Sequence, residues 1–142
     1  MPIGYKITHG GKLTVKVWTK QVSTSEMLAK SQEFLNNPAV LPNRVELVDV
    51  TRATTPHIGE MELRQLFDGY QAHKQKLVNT NIAIVATGEE FDKARIYEQL
   101  STPHLVTVVV FNEMDTACTW LGVDEAEIRG LVRDVLKEMP TP

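Results

Sequence analysis

One cysteine, Cys118, stands in 142 residues. It has no partner for an intramolecular disulfide, and no thiolate cluster can form within the chain. The four histidines, His9, His57, His73 and His104, show neither i,i+4 pairing nor a His-Glu-x-x-His run. His57 and Glu60 share helical spacing, but a zinc site needs three or more converging protein ligands. No metal and no cofactor is expected. Glycine is placed wrongly for phosphate chemistry: Gly10-Gly11 falls in a turn and Gly88 stands alone, so the spacing that cradles phosphates is missing. No serine occupies a nucleophile-elbow pattern. Lys plus Arg is 15 against 18 Asp plus Glu, a formal charge of −3, and the basic residues are dispersed singly. That balance argues against nucleic acid as a partner. The longest apolar stretch, Leu105 to Phe111, is interrupted by Thr107 and is far shorter than the roughly 20 residues a membrane helix needs, so no stable membrane insertion is expected. The N-terminus lacks a charged segment leading into an apolar one, and Pro2 stands where myristoylation requires glycine. A cytoplasmic location follows as the expectation.

Hydrophobic residues make up 42% and charged residues 23%, the composition of an ordinary globular domain. A chain of this length buries a core without staples. Tyr5 to Thr8 reads as a strand and His9-Gly10-Gly11 as a turn. In Lys12 to Thr19, Leu13, Val15 and Val17 alternate with Lys12, Thr14, Lys16 and Trp18. This predicts a hairpin at a sheet edge with one buried face, its lysines guarding against foreign strands. Ser23 and Glu26 have capping-box spacing ahead of a helix ended by Asn36-Asn37-Pro38. Val45 to Val50 reads as an interior strand, and Thr51 to Pro56 as a loop. There Thr55 caps, and Pro56 begins, a long helix striped with Met61, Leu63, Leu66, Phe67, Tyr70 and Leu77. Strands over Ile82–Ala86 and Leu105–Phe111 alternate with a helix over Glu89–Leu100. Asn112 opens another helix, Gly122 closes it, and Asp124 caps the last. The order β-β-α-β-α-β-α-β-α-α predicts an α/β fold: a mixed sheet of about five strands, the N-terminal hairpin antiparallel and the later strands mainly parallel, with packed helices.

Ligands of open α/β sheets favour the crevice beyond the C-terminal strand ends. Three segments should lie there: Asp49, Thr51, Arg52, Thr54, Thr55 and His57; Thr87 and Gly88; Asn112 and Glu113. Arg52 can clamp a phosphate or carboxylate with two hydrogen bonds, and the threonines can donate to the same ligand. The structural alternative is equally specific: Asp49 pairs with Arg52, Thr55 caps a helix, and Thr87 or Gly88 merely starts one. Cys118 lies on an inner helical stripe, where a free thiol serves as a small hydrophobe. Tyr70 and Tyr97 fall on core-facing stripes, where packing with a solvated hydroxyl is expected. Trp18, on the strand face opposite Leu13, Val15 and Val17, and Trp120, near a helix end, are candidate interface residues.

The sequence resembles the SpoIIAA-like proteins of the broader STAS/SEC14-like group, from about Tyr5 to about Met139. The resemblance is carried by Gly10-Gly11-Lys12-Leu13, Val48-Asp49-Val50-Thr51-Arg52, Ile82-Ala83-Ile84-Val85 with Phe91-Asp92-Lys93-Ala94-Arg95, and Val110-Phe111-Asn112-Glu113 leading to Ala117 and Trp120-Leu121. It implies that residues 1–142 form a single SpoIIAA-like domain, with 140–142 a short tail, and that the chain self-associates as a homodimer. STAS relatives imply partner switching under control of a phosphorylated serine or threonine, but the loop here lacks the Asp-Ser-x-Gly arrangement; Thr54 and Thr55 are the candidate hydroxyls for such a modification. SEC14-like relatives imply a hydrophobic ligand beneath movable helices. The expectation from these readings is a non-catalytic regulatory module that binds another protein. The alternatives are a carrier or sensor of a small anionic or lipid-like ligand near the Asp49–His57 loop, or an enzyme built on Asp49, His57 and Glu113.

Overall fold

The computed structural model describes residues 2–104 and 106–140. Its elements are β1 (Ile3–Thr8), β2 (Leu13–Gln21), α1 (Thr24–Asn36), β3 (Val45–Thr54), α2 (Glu60–Tyr70), α3 (Lys74–Leu77), β4 (Thr80–Val85), α4 (Gly88–Leu100), β5 (Val106–Phe111), α5 (Met114–Leu121) and α6 (Glu125–Glu138). The sheet runs β1-β2-β3-β4-β5. β1 is antiparallel to β2, and each later strand is parallel to its neighbour. The expected mixed sheet is the one the chain forms. Leu105, the first residue of the expected last strand, lies outside the described residues.

Strand order in space equals strand order in sequence, and that fixes the layers. Right-handed crossovers stepping always in one direction place every connecting helix on the same face. One core accordingly packs Met27, Phe34, Leu63, Leu66, Phe67, Tyr70, Ala94 and Tyr97 against Val48, Ile82, Ile84 and Val108. The chain then turns back after β5, and α5 and α6 cover the other face. There Ala117, Cys118, Ile128, Val132 and Val135 meet Leu13, Val15, Val17, Leu47, Ala83 and Val85. Gly4 permits the approach of α6, since a Cβ on it would stand 2.8 Å from Met139.

Local signals act where the sequence puts them. Ser23 accepts from Glu26 N–H at 3.1 Å while Glu26 accepts from Ser23 N–H at 2.9 Å, a complete capping box. Gly122 ends α5 at φ 74°, and the Asp124 carboxylate accepts Glu127 N–H at 2.9 Å.

Several expectations are corrected. β3 does not end at Val50. Val17 pairs with Asp49 and Thr19 with Arg52, so Val50 and Thr51 both oppose Trp18, a bulge after which pairing with β2 resumes to Thr54. The polar Thr51-Arg52-Ala53-Thr54 segment is strand. It looks like a loop because β4 stops pairing at Asp49, leaving that edge to water. Thr55 therefore caps no helix and Pro56 begins none: α2 starts at Glu60, and Glu62 accepts the Gly59 N–H at 2.7 Å. Met61 belongs to the exposed side of α2, at 71% accessibility. Finally, the strand face bearing Thr14, Lys16 and Trp18 is covered by helices rather than solvated, as befits a parallel sheet wrapped on both sides. Lys16 guards no edge, because β1 lies outside β2.

Candidate functional site

On the side covered by α1, α2 and α4 the core is not closed. A cavity of about 110 Å³ lies between sheet and helices, floored by Val48, Ile82 and Ile84 and walled by Leu63, Leu66 and Ala94. Interiors packed to native density leave few voids larger than a water, and one water needs only about 10–15 Å³. Parallel strands supply the floor because each second residue of β3 and β4 points to this face. Trp18, Val50, Glu90 and Lys93, all partly exposed, also line it. Trp18 is thus a wall of this cavity, packed against the core, and not a side chain on a solvated face.

Three polar groups border the apolar space. The first is ionic. Arg44 and Glu46 are each 1% exposed, and Arg44 Nε donates to Glu46 Oε1 at 2.8 Å. Arg44 Nη1 also donates to the carbonyls of Leu41, at 2.8 Å, and Lys76. Lys16 Nζ lies 3.3 Å from Glu46 Oε2 and 3.8 Å above the Phe34 ring, and 21% of its side chain remains accessible. The register explains the contact: Glu46 pairs with Thr14 and Lys16 with Val48, which makes Lys16 and Glu46 diagonal neighbours on one face. Burial pushes the Lys16 ammonium below its ordinary pKa, against the pull of Glu46. Burial would raise the Glu46 carboxyl, but Lys16 and Arg44 together outweigh it and hold it low.

The second group is a phenol pair. Tyr70 and Tyr97 hydroxyls are 2.9 Å apart and buried. Burial raises both pKa values, and the nearby Glu46 carboxylate adds to the effect, so both stay neutral. The expected solvated hydroxyls are instead buried against each other. The third group ties the segment after β3 to α4. Thr55 donates its N–H to Glu90 Oε2 at 3.2 Å and its hydroxyl to Glu90 Oε1, while Lys93 Nζ donates to the Thr55 carbonyl and, at 3.2 Å, to its hydroxyl oxygen. The residue next along that segment to turn inward, Ile58, is buried and lines the same cavity.

The residues singled out from the sequence are distributed differently. Asp49 is buried; it accepts Thr51 N–H at 2.9 Å, the Thr51 hydroxyl at 2.6 Å and Arg52 Nη1 at 2.7 Å. This carboxylate satisfies the backbone N–H that the bulge releases, and Arg52, 46% exposed, closes the cluster. Neither lines the cavity, to which residues 49–57 contribute Val50 and Thr55. Thr54 and His57 are exposed, as are Thr87, Gly88, Asn112 and Glu113. Thr87 makes no side-chain cap to α4. Trp120 is 38% exposed with its ring 5.9 Å from that of Phe111. Cys118 is buried, which raises its thiol pKa. Among the described residues no three His, Cys, Asp or Glu side chains are grouped to hold a metal, and no helix is long and apolar enough to cross a membrane.

Sequence reasoning missed Lys16, Arg44 and Glu46. The available signal was a charge alternating with valines in strands bound for the middle of a parallel sheet, where a charged side chain must find a partner.

No protein-family model and no curated protein matches the chain. Among solved structures, an uncharacterised protein of the DUF3478 family with a SpoIIAA-like fold, from Shewanella loihica PV-4, aligns with a TM-score of 0.52 at 15% identity, over 84% of this chain and 91% of that one. At that identity the likeness is one of fold, and it agrees with the SpoIIAA-like architecture that the sequence resemblance implies.

Proposed function

We propose that the protein is a non-catalytic binding module that holds a small, mostly apolar molecule between the sheet and helices α1, α2 and α4, acting as a carrier or sensor. The observation that carries this reading is the 110 Å³ cavity with an apolar floor and only a few polar groups at its border, the usual build of a small-molecule site. The polar groups support binding over turnover. Glu46 is engaged by two cations, the tyrosines by each other, and Glu90 by Thr55. The Asp49 cluster is internally satisfied and serves the bulge, so it supports the walls and does not contact the guest.

Native mass spectrometry of freshly purified protein, beside the denatured spectrum, tests the reading. An extra mass lost on denaturation is expected, and it should be missing from Ala94→Leu, whose larger side chain occupies the cavity. For protein that purifies bare, 1-hexanol is titrated while Trp18 emission is followed in a Trp120→Phe background; a saturable change is expected. Protein showing neither a retained mass nor a saturable response refutes the proposal, as does a folded Ala94→Leu variant that binds like the original.

A further inference from the structure

We propose that the guest is a small apolar monocarboxylate whose carboxylate docks on the Lys16 ammonium while its hydrocarbon body lies along Val48, Ile82, Ile84 and Ala94. This rests on the cavity-binding reading above.

Charge is the first argument. Two cations, Lys16 and Arg44, surround one anion, Glu46, with Arg44 and Glu46 almost wholly buried. The cluster carries one positive charge in excess, in a setting where unmatched charge is costly. One further anion brings it to neutrality. A dianion overshoots, and a cationic guest meets a carboxylate already held by two cations.

Geometry identifies which cation is free to take that anion. Arg44 is committed, with Nε on Glu46 and Nη1 on two carbonyls. Lys16 is not: it has one carboxylate oxygen at 3.3 Å and the face of Phe34 at 3.8 Å, while an ammonium has three N–H groups to place. Lys16 also lines the cavity, and Arg44 does not. Nearby, the phenol pair supplies neutral hydroxyls. Of their two hydrogens only one lies in the bond between them, and both oxygens keep their protons because Tyr70 and Tyr97 are buried beside Glu46. The second hydrogen lies outside that bond, and the guest carboxylate is an acceptor for it. The ammonium is held low in proton affinity chiefly by desolvation, and an incoming carboxylate offsets that effect. Lys93, the other cation on the lining, is engaged by the Thr55 carbonyl and hydroxyl, and Glu90 by Thr55 as well; apart from that contact the lining is mostly hydrocarbon, which sets the body of the molecule as apolar and its size as small.

Three probes with one six-carbon body separate the possibilities: hexanoate, 1-hexanol and hexylamine, titrated at neutral pH into ¹⁵N-labelled full-length chain and followed by amide shifts and calorimetry. A charge-assisted hydrogen bond predicts hexanoate binding about 10-fold or more tighter than hexanol, with shifts at Lys16–Trp18 and along β3 and α4. Lys16→Met should abolish that preference, so that hexanoate binds the variant no tighter than hexanol binds the same variant. Hexanoate binding no better than hexanol, hexylamine binding best, or a preference that survives Lys16→Met each overturns the carboxylate assignment while leaving the cavity reading intact. No cavity shift with any of the three overturns both. The comparison among probes on the unaltered protein stands even if the variant folds poorly.

Discussion

Glu46→Gln and Lys16→Met remove one partner each from the same buried contact, and the structure assigns them opposite consequences. Among the described residues Glu46 is the anion that contacts both Lys16 and Arg44. Neutralising it leaves two cations facing each other, and breaking a buried pair in this way costs about 3–5 kcal/mol. Removing Lys16 leaves the Arg44–Glu46 pair at 2.8 Å intact, takes a desolvated ammonium out of the core, and replaces it with a methionine of similar shape. That change should cost less than about 1 kcal/mol or stabilise slightly. At about 3 °C per kcal/mol for a domain of this size, the two melting points should fall about 10–15 °C and less than about 3 °C respectively. In the double variant one buried cation is unmatched instead of two, so about 1 kcal/mol or more of the loss should return.

The assay is urea unfolding of the four proteins as a function of pH. The folded Glu46 carboxyl lies below its ordinary pKa. Its contribution is therefore fully present above the unfolded value of about 4.3 and is lost as pH falls through the lower folded value. The gap between the original protein and Glu46→Gln should be widest near neutrality and close in acid, because a protonated Glu46 resembles the glutamine. A Lys16→Met loss as large as that of Glu46→Gln would refute the reasoning, since it would make Lys16 a required counter-charge. So would a gap that does not narrow in acid.

Other perturbations probe the rest of the site. Tyr70 and Tyr97 have raised pKa values when folded, so the native state keeps protons that the unfolded chain releases above about pH 10. Stability should fall as pH rises past that point, and their ring carbon shifts should show neutral phenols until unfolding begins. Ala94→Leu adds three carbons beside a cavity of 110 Å³ and should be neutral or stabilise by about 1 kcal/mol; a loss of 1–3 kcal/mol, the usual cost of overpacking a closed core, would show that the space is not available. Thr55→Val removes the hydroxyl shared by Glu90 and Lys93 and should cost about 1–3 kcal/mol, with faster amide exchange at Ile58; unchanged exchange would show that this contact does not hold the segment down.

What could be read from the sequence divides along the range of the interactions. Ser23 with Glu26, Gly122, and Asp124 with Glu127 are contacts between residues at most a few positions apart, and their spacing announces them. The Asp49–Arg52 pair is of the same kind and was legible as a structural alternative for the very residues that looked like a ligand clamp. The bulge that this pair accompanies was not legible, because it depends on where β4 stops pairing. The ionic cluster depends on β2 and β3 lying side by side, with Arg44 just ahead of β3. Alternation in β2 implies one wet face and one dry face, which holds for an antiparallel edge hairpin but not for a strand that also has a parallel neighbour and helices on both sides. That single misassignment concealed Lys16, the wall position of Trp18 and, through them, the cavity. Its reverse is a usable rule: in a chain whose later strands must be parallel, a lysine or glutamate at an alternating position of a central strand has a buried partner on the adjoining strand, two residues away in register. Lys16 and Glu46 satisfy it on the face where the core is open, and this is why the candidate site lies on the flank of the sheet as well as at its C-terminal edge.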